Sequence, residues 1–357
     1  MSDFLIKRDD LRRCRVAESA TPALAPGQAL LRVDRFGMTA NNVTYAVMGE
    51  AMSYWDFFPA AEEGWGRVPV WGFAEVERSE AAAVAPGTRL YGYLPPSSHL
   101  VVTPAEADEQ GFVDGSPQRA ALPSAYHRYL ASDHDPFYSA DTEDVQLLLR
   151  PLFFTSFLID DQLDDEGLAT QGPLLLSSAS SKTAIAAAYL LAQRPGVELI
   201  GLTSPGNVEF VAGLGIYDRC LPYGEIGTLA RGPATFVDFA GDGEVRRAVH
   251  SRFGEELLHS MAVGVTHWEE LGGGAGELPG PPPRLFFAPD RVVKRSRDWG
   301  RAELEQRVAG AWHPFCEWIG GRLEVVPGDG LEAARSAYLE VLEGRVDPRR
   351  AQVISLA

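Results

Sequence analysis

The chain contains 357 residues, 45% of them hydrophobic, and this length and composition predict two globular domains. Its 49 acidic and 32 basic side chains give a net charge of −17, so its field repels phosphate backbones and anionic membrane surfaces. We therefore expect neither nucleic acid nor a membrane as a partner. The N-terminal residues show no cleavage signal and no apolar run reaches membrane-spanning length, so neither a leader peptide nor a membrane span is expected.

Three isolated cysteines, Cys14, Cys220 and Cys316, show no paired spacing. This pattern is typical of a reducing compartment, and it argues against a disulfide framework and a cysteine-rich zinc site. We expect a cytoplasmic protein without a bound metal.

Short β-rich runs separated by turns occupy the N-terminal part of the chain. The clearest runs are residues 29–37, 68–76 and 84–93, with glycine and proline within or beside them. This pattern predicts a small antiparallel β-barrel.

Strand-like and helix-like segments alternate further along the chain. Apolar strand segments begin at residues 173, 197, 234 and 257, and helical segments separate them. This alternation predicts a doubly wound parallel sheet. After a glycine- and proline-rich loop, residues 301–310 and 331–343 are predicted to be helices, and the chain closes on a short strand.

The segment 173–192 is predicted to pass from a buried strand through small residues into an apolar helix. Ser178, Ser181 and Ala184 stand at the three-residue spacing at which a dinucleotide-binding turn carries small residues. Serine lacks the free access to positive φ that glycine has, so either the turn uses only ordinary φ values or the site is degraded. Ser180, Lys182 and Thr183 complete the expected contacts of this turn with a cofactor.

The next strand ends at Thr203 and Ser204, where an NAD enzyme carries an acid that binds the ribose. No acid stands there, so Thr203, Ser204 and Asn207 favour NADP(H) over NAD(H). The candidate cations for a 2′-phosphate are Lys182 and Arg194. Tyr223 is placed to cover the adenine.

The order of these parts resembles the medium-chain dehydrogenase/reductase superfamily, and within it the zinc-independent quinone and enoyl reductases. The resemblance is carried by the Phe-Gly ending of residues 29–37, Asn41-Asn42-Val43-Thr44-Tyr45, the run 86–92, Phe154-Thr155-Ser156-Phe157 and the interval 204–223. It implies an α/β fold with two domains: a GroES-like β-barrel domain (residues 1–155, completed by 290–357) and a Rossmann domain (residues 156–289).

The resemblance also implies roles for individual residues. Asn41 or Asn42, together with Tyr45 and Thr155, would approach the nicotinamide, while Phe239, Gly241 and Val265 would bracket its ribose and carboxamide. The resemblance is also compatible with a homodimer. Where zinc-dependent relatives carry Gly-His-Glu, this chain has Val70-Trp71-Gly72-Phe73-Ala74-Glu75, so no catalytic metal is expected.

Without a metal, the proton or hydrogen bond that accompanies hydride transfer must come from a side chain. Tyr45 is the best donor, because a phenol stays protonated at neutral pH. Asn41, Asn42 or Thr155 could orient a substrate carbonyl, and Tyr54 could line the pocket or compete with Tyr45.

Aromatic residues between positions 54 and 71 favour a bulky apolar substrate or a lid, although core packing explains them equally well. They are Tyr54, Trp55, Phe57, Phe58, Trp65 and Trp71. The expected partner is a small-molecule substrate of apolar or aromatic character. The acidic run 160–166 is interpreted as a solvated turn without chemistry.

Two functions follow. The first is an NADPH-dependent oxidoreductase that reduces an enone, quinone or carbonyl substrate by hydride transfer without a metal. The alternative is a non-redox or non-catalytic member of the fold with a decayed cofactor site, acting as a binding protein or as a redox-neutral enzyme.

Overall fold

A computed structural model describes residues 1–263 and 278–356 of the chain. It divides into two compact units, Met1–Leu148 with Leu323–Ala357, and Leu149–Arg322. The sequence predicts that residues 290–357 complete the first domain, whereas residues 290–322 belong to the second unit. Residues 149–155 also fall on the other side of the predicted boundary.

The strands of the described residues, in chain order, are β1 Ser2–Lys7, β2 Asp10–Glu18, β3 Ala29–Met38, β4 Trp65–Gly66, β5 Val70–Ser79, β6 Arg89–Leu94, β7 His99–Val102, β8 Pro104–Asp108, β9 Gly111–Asp114, β10 Arg128–Ala131, β11 Leu174–Leu176, β12 Leu199–Thr203, β13 Arg219–Pro222, β14 Ala234–Asp238, β15 Leu257–Ala262, β16 Arg284–Leu285, β17 Glu324–Asp329 and β18 Arg350–Ser355. The α-helices are α1 Ala40–Val47, α2 Glu143–Asp165, α3 Lys182–Leu191, α4 Val208–Gly213, α5 Gly243–Phe253, α6 Ala288–Trp299, α7 Arg301–Gly320 and α8 Gly330–Leu342.

The first unit is rich in sheet. Its larger sheet has the order β17-β18-β3-β5-β6-β10-β9-β8, with β7 also pairing with β3, and its smaller sheet has the order β2-β1-β4. All these pairs are antiparallel except β17 with β18. The predicted β-rich domain is confirmed, and the C-terminal strand β18 completes it beside β3.

Helix α8 closes the core of the first unit. Its buried residues Leu331, Ala334, Ala337 and Tyr338 recur every three or four positions and therefore share one helix face. Tyr338 meets the ring of Phe4 edge-on at 5.6 Å between centroids. This packing explains why the last residues of the chain belong with the first.

The second unit contains a six-stranded sheet of order β13-β12-β11-β14-β15-β16, and every pair in it is parallel. Its central strands are short apolar runs buried on both faces, as parallel strands covered by helices require. The order of strands reverses at β11, between β12 and β14. In such sheets ligands bind beyond the carboxyl ends of the strands at this reversal.

The acidic residues 160–165 lie on α2 and are paired with arginines, so the expectation of a solvated turn is wrong. Asp161 is 7% exposed and accepts hydrogen bonds from Arg295 Nε at 2.8 and 2.9 Å and from Arg291. Asp165 accepts from Arg291 Nη1 at 2.8 Å. Both arginines lie on α6, so these pairs attach α6 to α2 and place residues 290–322 in the second unit.

Helix α7 reinforces this attachment through aromatic contacts with α2. The Phe153 ring lies 5.2 Å from that of Trp312 and 4.8 Å from that of Phe315.

Among the helices of the described residues, none combines the length and apolar character that crossing a membrane requires.

Candidate functional site

The turn after β11 has one residue in the left-handed region of backbone space. Ser178 has a φ of 49°, which is the conformation that glycine usually supplies in such turns. Ser181 has an ordinary φ of −73° and begins α3, where its hydroxyl accepts a hydrogen bond from the Ala184 amide at 3.3 Å. The turn therefore uses a positive φ although it contains no glycine, which neither sequence-based alternative anticipated.

The glycine that allows close approach stands in the neighbouring strand instead. A Cβ added to Gly201 in β12 would lie 3.1 Å from the Cβ of Ala179 in the turn and 3.1 Å from the ring of Tyr217. The Tyr217 hydroxyl donates to the Ala179 carbonyl at 3.2 Å. The turn thus packs against a strand residue without a side chain, and the half-buried phenol of Tyr217 holds it by a hydrogen bond.

Tyr223 reaches this turn from the end of β13. The Ser178 amide donates to the Tyr223 hydroxyl at 3.1 Å, and partial burial raises the pKa of this phenol. Tyr223 therefore lies on the β12 side of the strand reversal, which is the adenosine side in a doubly wound fold.

Three other predicted residues meet in the same place. Ser180 Oγ accepts from Asn207 Nδ2 at 3.1 Å and from Thr203 Oγ1 at 3.4 Å. A hydroxyl that accepts two hydrogen bonds has its own hydrogen left to donate, which suits an anionic or polar ligand oxygen. Ser204 is half-buried beside Thr203, and residues 203–207 contain no acid.

Lys182 and Thr183 are the first two residues of α3, and both are half-buried. The N-terminus of a helix favours anions because its free amides and its dipole point toward them. Arg194, the second cation predicted for a 2′-phosphate, is instead paired with Asp160 at 2.6 and 2.8 Å and with Asp164 at 2.8 Å. The prediction for Arg194 is wrong, because these carboxylates already hold its guanidinium.

The loop after β14 carries Phe239 and Gly241, both half-buried, and Gly241 has a φ of 65°. The Ala240 and Gly241 amides of this loop donate hydrogen bonds to the carboxylate of Asp238. The sequence patterns did not identify Asp238 as a site residue. Val265, the third residue predicted for the nicotinamide side, lies outside the described residues.

In the first unit, Asn42 stabilises the start of α1 and holds a neighbouring segment. Its Oδ1 accepts from the Thr39 amide at 2.7 Å, and its Nδ2 donates to the Pro69 carbonyl at 2.8 Å. Asn42 is 2% exposed. These contacts make Asn42 a helix cap, and a role in orienting a substrate carbonyl stays a prediction.

Asn41, by contrast, forms a hydrogen bond with Tyr45, which lies one helical turn later in α1. Asn41 Nδ2 donates to the Tyr45 hydroxyl at 2.8 Å, and Trp71 Nε1 donates to the same oxygen at 3.3 Å. Burial raises the pKa of Tyr45 well above its usual range, although these donors oppose the shift. Tyr45 is therefore a neutral phenol whose oxygen accepts hydrogen bonds from Asn41 and Trp71.

Four tyrosines form a cluster around this hydroxyl: Tyr45, Tyr54, Tyr93 and Tyr126, here called the tyrosine cluster. The ring of Tyr45 lies 4.6 Å from that of Tyr54 and 5.6 Å from that of Tyr93, which in turn lies 4.7 Å from that of Tyr126. Tyr54 and Tyr126 are half-buried, whereas Tyr93 is fully buried. Tyr93 and Tyr126 were missed in the sequence because they stand far from Tyr45 along the chain.

The other predicted aromatic residues lie in the core or beside the cluster, except Trp65, which is half-buried in β4 with the Arg15 guanidinium 4.3 Å from its ring. Trp55, Phe57 and Phe58 are at most 3% exposed and belong to the hydrophobic core. Trp71 is half-buried beside the tyrosine cluster. Thr155 lies on α2 in the second unit, where its hydroxyl donates to the Pro151 carbonyl at 3.2 Å.

A family model described as "Protein of unknown function (DUF2855)" matches residues 36–347. No curated protein matches the chain in sequence.

Among solved structures, CurA from Vibrio vulnificus in complex with NADPH is 15% identical, with a TM-score of 0.60, over 100% of this chain and 99% of that one. The yhdH oxidoreductase from Salmonella enterica in complex with NADP is 16% identical, with a TM-score of 0.58, over 100% of both chains. A putative NADPH:quinone reductase from Bacillus thuringiensis is 13% identical, with a TM-score of 0.59, over 100% of this chain and 99% of that one. These likenesses confirm the predicted α/β fold, with a GroES-like and a Rossmann domain, and the resemblance at the level of the fold.

We expect Ser178→Gly to raise the free energy of unfolding by about 1 kcal/mol, because glycine adopts the left-handed conformation without the strain of a Cβ. Ser181→Gly is the matched control: it has an ordinary φ and loses a helix cap, so stability should fall by a few tenths of a kcal/mol. Thermal unfolding followed by circular dichroism measures both. A lower unfolding temperature for Ser178→Gly would contradict the strained turn.

Proposed function

The chain belongs to the family described as "Protein of unknown function (DUF2855)", and for this member we propose the activity of an NADP(H)-dependent oxidoreductase. The observation that carries the proposal is the group of donors around the strand reversal. Ser180, Thr203 and Asn207 are joined by hydrogen bonds beside the turn after β11, and the end of β12 carries no acid. The names of the CurA and yhdH structures, which record NADPH and NADP, support the same cofactor.

The donor set fits an NADP(H) molecule. We assign the diphosphate to the start of α3, where Ser181 and Thr183 stand, and the ammonium group of Lys182 to the 2′-phosphate. The other contacts of the 2′-phosphate are assigned to Ser178, Ser180, Thr203, Ser204 and Asn207, with Tyr223 over the adenine. These residues offer amide and hydroxyl donors, and residues 203–207 contain no carboxylate that would repel the phosphate. Phe239, Gly241 and Val265 are assigned to the nicotinamide side.

The bound cofactor would supply a hydride to the substrate, which we propose to be a small apolar or aromatic enone, quinone or carbonyl compound. Hydride addition leaves negative charge on the substrate oxygen. Tyr45 donates its hydrogen bond or its proton to that oxygen, and Asn41 and Trp71 orient the phenol by donating to it. Thr155 is a second contact for the carbonyl in this proposal, and no metal takes part.

One observation favours the alternative function, a protein that keeps the fold without redox turnover. The Tyr223 hydroxyl occupies the Ser178 amide, so an anion binding to that amide must displace it. A binding protein or a redox-neutral enzyme with this turn would show weak or unproductive cofactor binding. The cytoplasmic location and the homodimer stay predictions that the sequence alone carries.

Titration with NADPH, followed by nicotinamide fluorescence, tests the cofactor. We expect saturable binding to the wild-type protein and its loss in Ser181→Glu, since a carboxylate at the start of α3 repels the diphosphate. Ser336→Glu adds the same charge on an exposed face of α8 and should bind as the wild type does. Unchanged affinity in Ser181→Glu would remove this turn from the site.

Lys182→Ala tests the preference for NADP(H). Only NADPH offers the additional phosphate, so this variant should lose more affinity for NADPH than for NADH. The two dissociation constants, measured in parallel by the same fluorescence titration, give the ratio. Equal losses would place Lys182 at the diphosphate that both cofactors share, and no loss of either would remove it from the site.

Tyr45→Phe tests the proton donor, because it keeps the ring and removes only the hydroxyl. With a substrate that the wild type reduces, kcat should fall by roughly 10²–10⁴-fold while NADPH affinity stays nearly unchanged. Tyr54→Phe is the control, since its ring packs on Tyr45 at 4.6 Å and it carries the same chemical change. Full turnover in Tyr45→Phe together with loss in Tyr54→Phe would move the donor role to Tyr54.

A further inference from the structure

Asp238 is the last residue of β14, and its carboxylate joins the ends of two strands to the loop that follows β14. Oδ1 accepts from the Ser177 hydroxyl at 2.7 Å, from the Ala240 amide at 3.1 Å and from the Gly241 amide at 3.1 Å. Ser177 directly follows β11, so one oxygen atom connects the carboxyl ends of β11 and β14 with the loop after β14.

The other oxygen of Asp238 is held by Arg246. Oδ2 accepts from Arg246 Nε at 3.0 Å and from Nη2 at 2.9 Å. Arg246 lies near the start of α5. The N-cap of this helix is Asp242, whose side chain accepts hydrogen bonds from the Glu244 and Val245 amides at 2.8 and 3.0 Å. The loop of residues 239–241 is therefore fixed at both of its ends.

Ser177 closes the network from the other side. Its hydroxyl donates to Asp238 and accepts from the Ala240 amide at 3.0 Å, so that amide is shared between the two side chains. Asp238 is 2% exposed and Arg246 7% exposed. A buried ion pair contributes little net stability, since desolvation offsets the attraction, so the main effect of this network is to fix the geometry of the loop.

We propose that Asp238 is a positioning residue for the nicotinamide half of the cofactor site, acting through Ser177 and the loop 239–241. The proposal rests on the NADP(H)-dependent function proposed above. Asp238 holds this loop at the point where the strand order reverses, on the β14 side of β11. The contacts assigned to the adenosine half run through other pairs, Ser178 with Tyr223 and Ser180 with Asn207, on the β12 side.

The two halves of the cofactor can be measured separately, because 2′,5′-ADP contains the adenosine half with its 2′-phosphate and lacks the nicotinamide. Asp238→Asn keeps the size of the side chain and replaces one acceptor oxygen by a donor, which must face either the loop amides or Arg246. We expect the dissociation constant for NADPH to rise about tenfold to hundredfold. That for 2′,5′-ADP should stay within about twofold of the wild-type value, because its contacts remain.

Asp160→Asn is the matched control. It removes a carboxylate from another Asp–Arg pair of the same unit, in which Arg194 donates to Asp160 at 2.6 and 2.8 Å beyond the C-terminus of α3. A general loss of stability changes both dissociation constants alike, so in this variant their ratio should equal that of the wild type.

Ser177→Ala is the second variant, and it leaves the Asp238–Arg246 pair intact if Asp238→Asn fails to fold. It should change the ratio of the two constants in the same direction but by less. Hydrogen exchange of the protein without ligand gives an independent readout: the Ala240 and Gly241 amides should exchange faster in Asp238→Asn, and the Ala240 amide should exchange faster in Ser177→Ala.

The outcomes separate the two proposals. If the wild-type protein binds neither NADPH nor 2′,5′-ADP, the proposed function fails and the positioning role fails with it. If the wild type binds both, and the Asp238 and Ser177 variants leave the ratio of the two constants unchanged, the positioning role is overturned while the proposed function stands.

Discussion

The close approach of the turn after β11 to strand β12 is the constraint on which the candidate cofactor site depends. A dinucleotide turn usually achieves this approach with its own glycines. Here the missing side chain belongs to Gly201 in β12, where a Cβ would lie 3.1 Å from Ala179. Ser178 adopts a left-handed backbone conformation, and the turn brings Ser180 within hydrogen-bonding distance of Asn207. A glycine in the neighbouring strand thus allows the close approach that glycines of the turn usually allow.

Charge is the second constraint, because in the proposed function a chain with a net charge of −17 would hold an anionic cofactor. In the second unit, the buried carboxylates are paired with arginines: Asp160 with Arg194, Asp161 with Arg291 and Arg295, and Asp238 with Arg246. Such pairing reduces the repulsion that these acids would exert on phosphate groups. In the proposed function, the attraction for phosphate groups comes from the start of α3, from Lys182 and from neutral hydroxyl and amide donors, which act over short distances.

The parts of the molecule that follow from local sequence were predicted well. Continuous apolar strands followed by small residues and a helix predict a parallel sheet, and a strand end without an acid identified Thr203 and Asn207, which the structure brings to Ser180. What was missed depends on residues far apart in the sequence. Asp161 is bonded to arginines 130 and 134 residues later, so the run of acids had no visible partner. Asn42 is the exception, since its spacing from Thr39 resembles a capping box and could have identified a cap.

The environment of Tyr45 bears on which substrates its hydroxyl can protonate in the proposed reaction. Burial raises the pKa of this phenol above that of an ordinary tyrosine, and it raises the basicity of a substrate oxyanion in the same site as well. In the proposed reaction, proton transfer from Tyr45 is therefore favourable only toward an oxygen that is more basic there than the Tyr45 phenolate. An alkoxide formed from a carbonyl compound meets that condition, and Tyr45 then acts as a general acid. The oxyanion formed from a quinone has the basicity of a phenolate and does not, so toward it Tyr45 acts as a hydrogen-bond donor that keeps its proton. The same hydroxyl, held by Asn41 and Trp71, therefore contributes proton transfer to one substrate class and electrostatic stabilisation to the other.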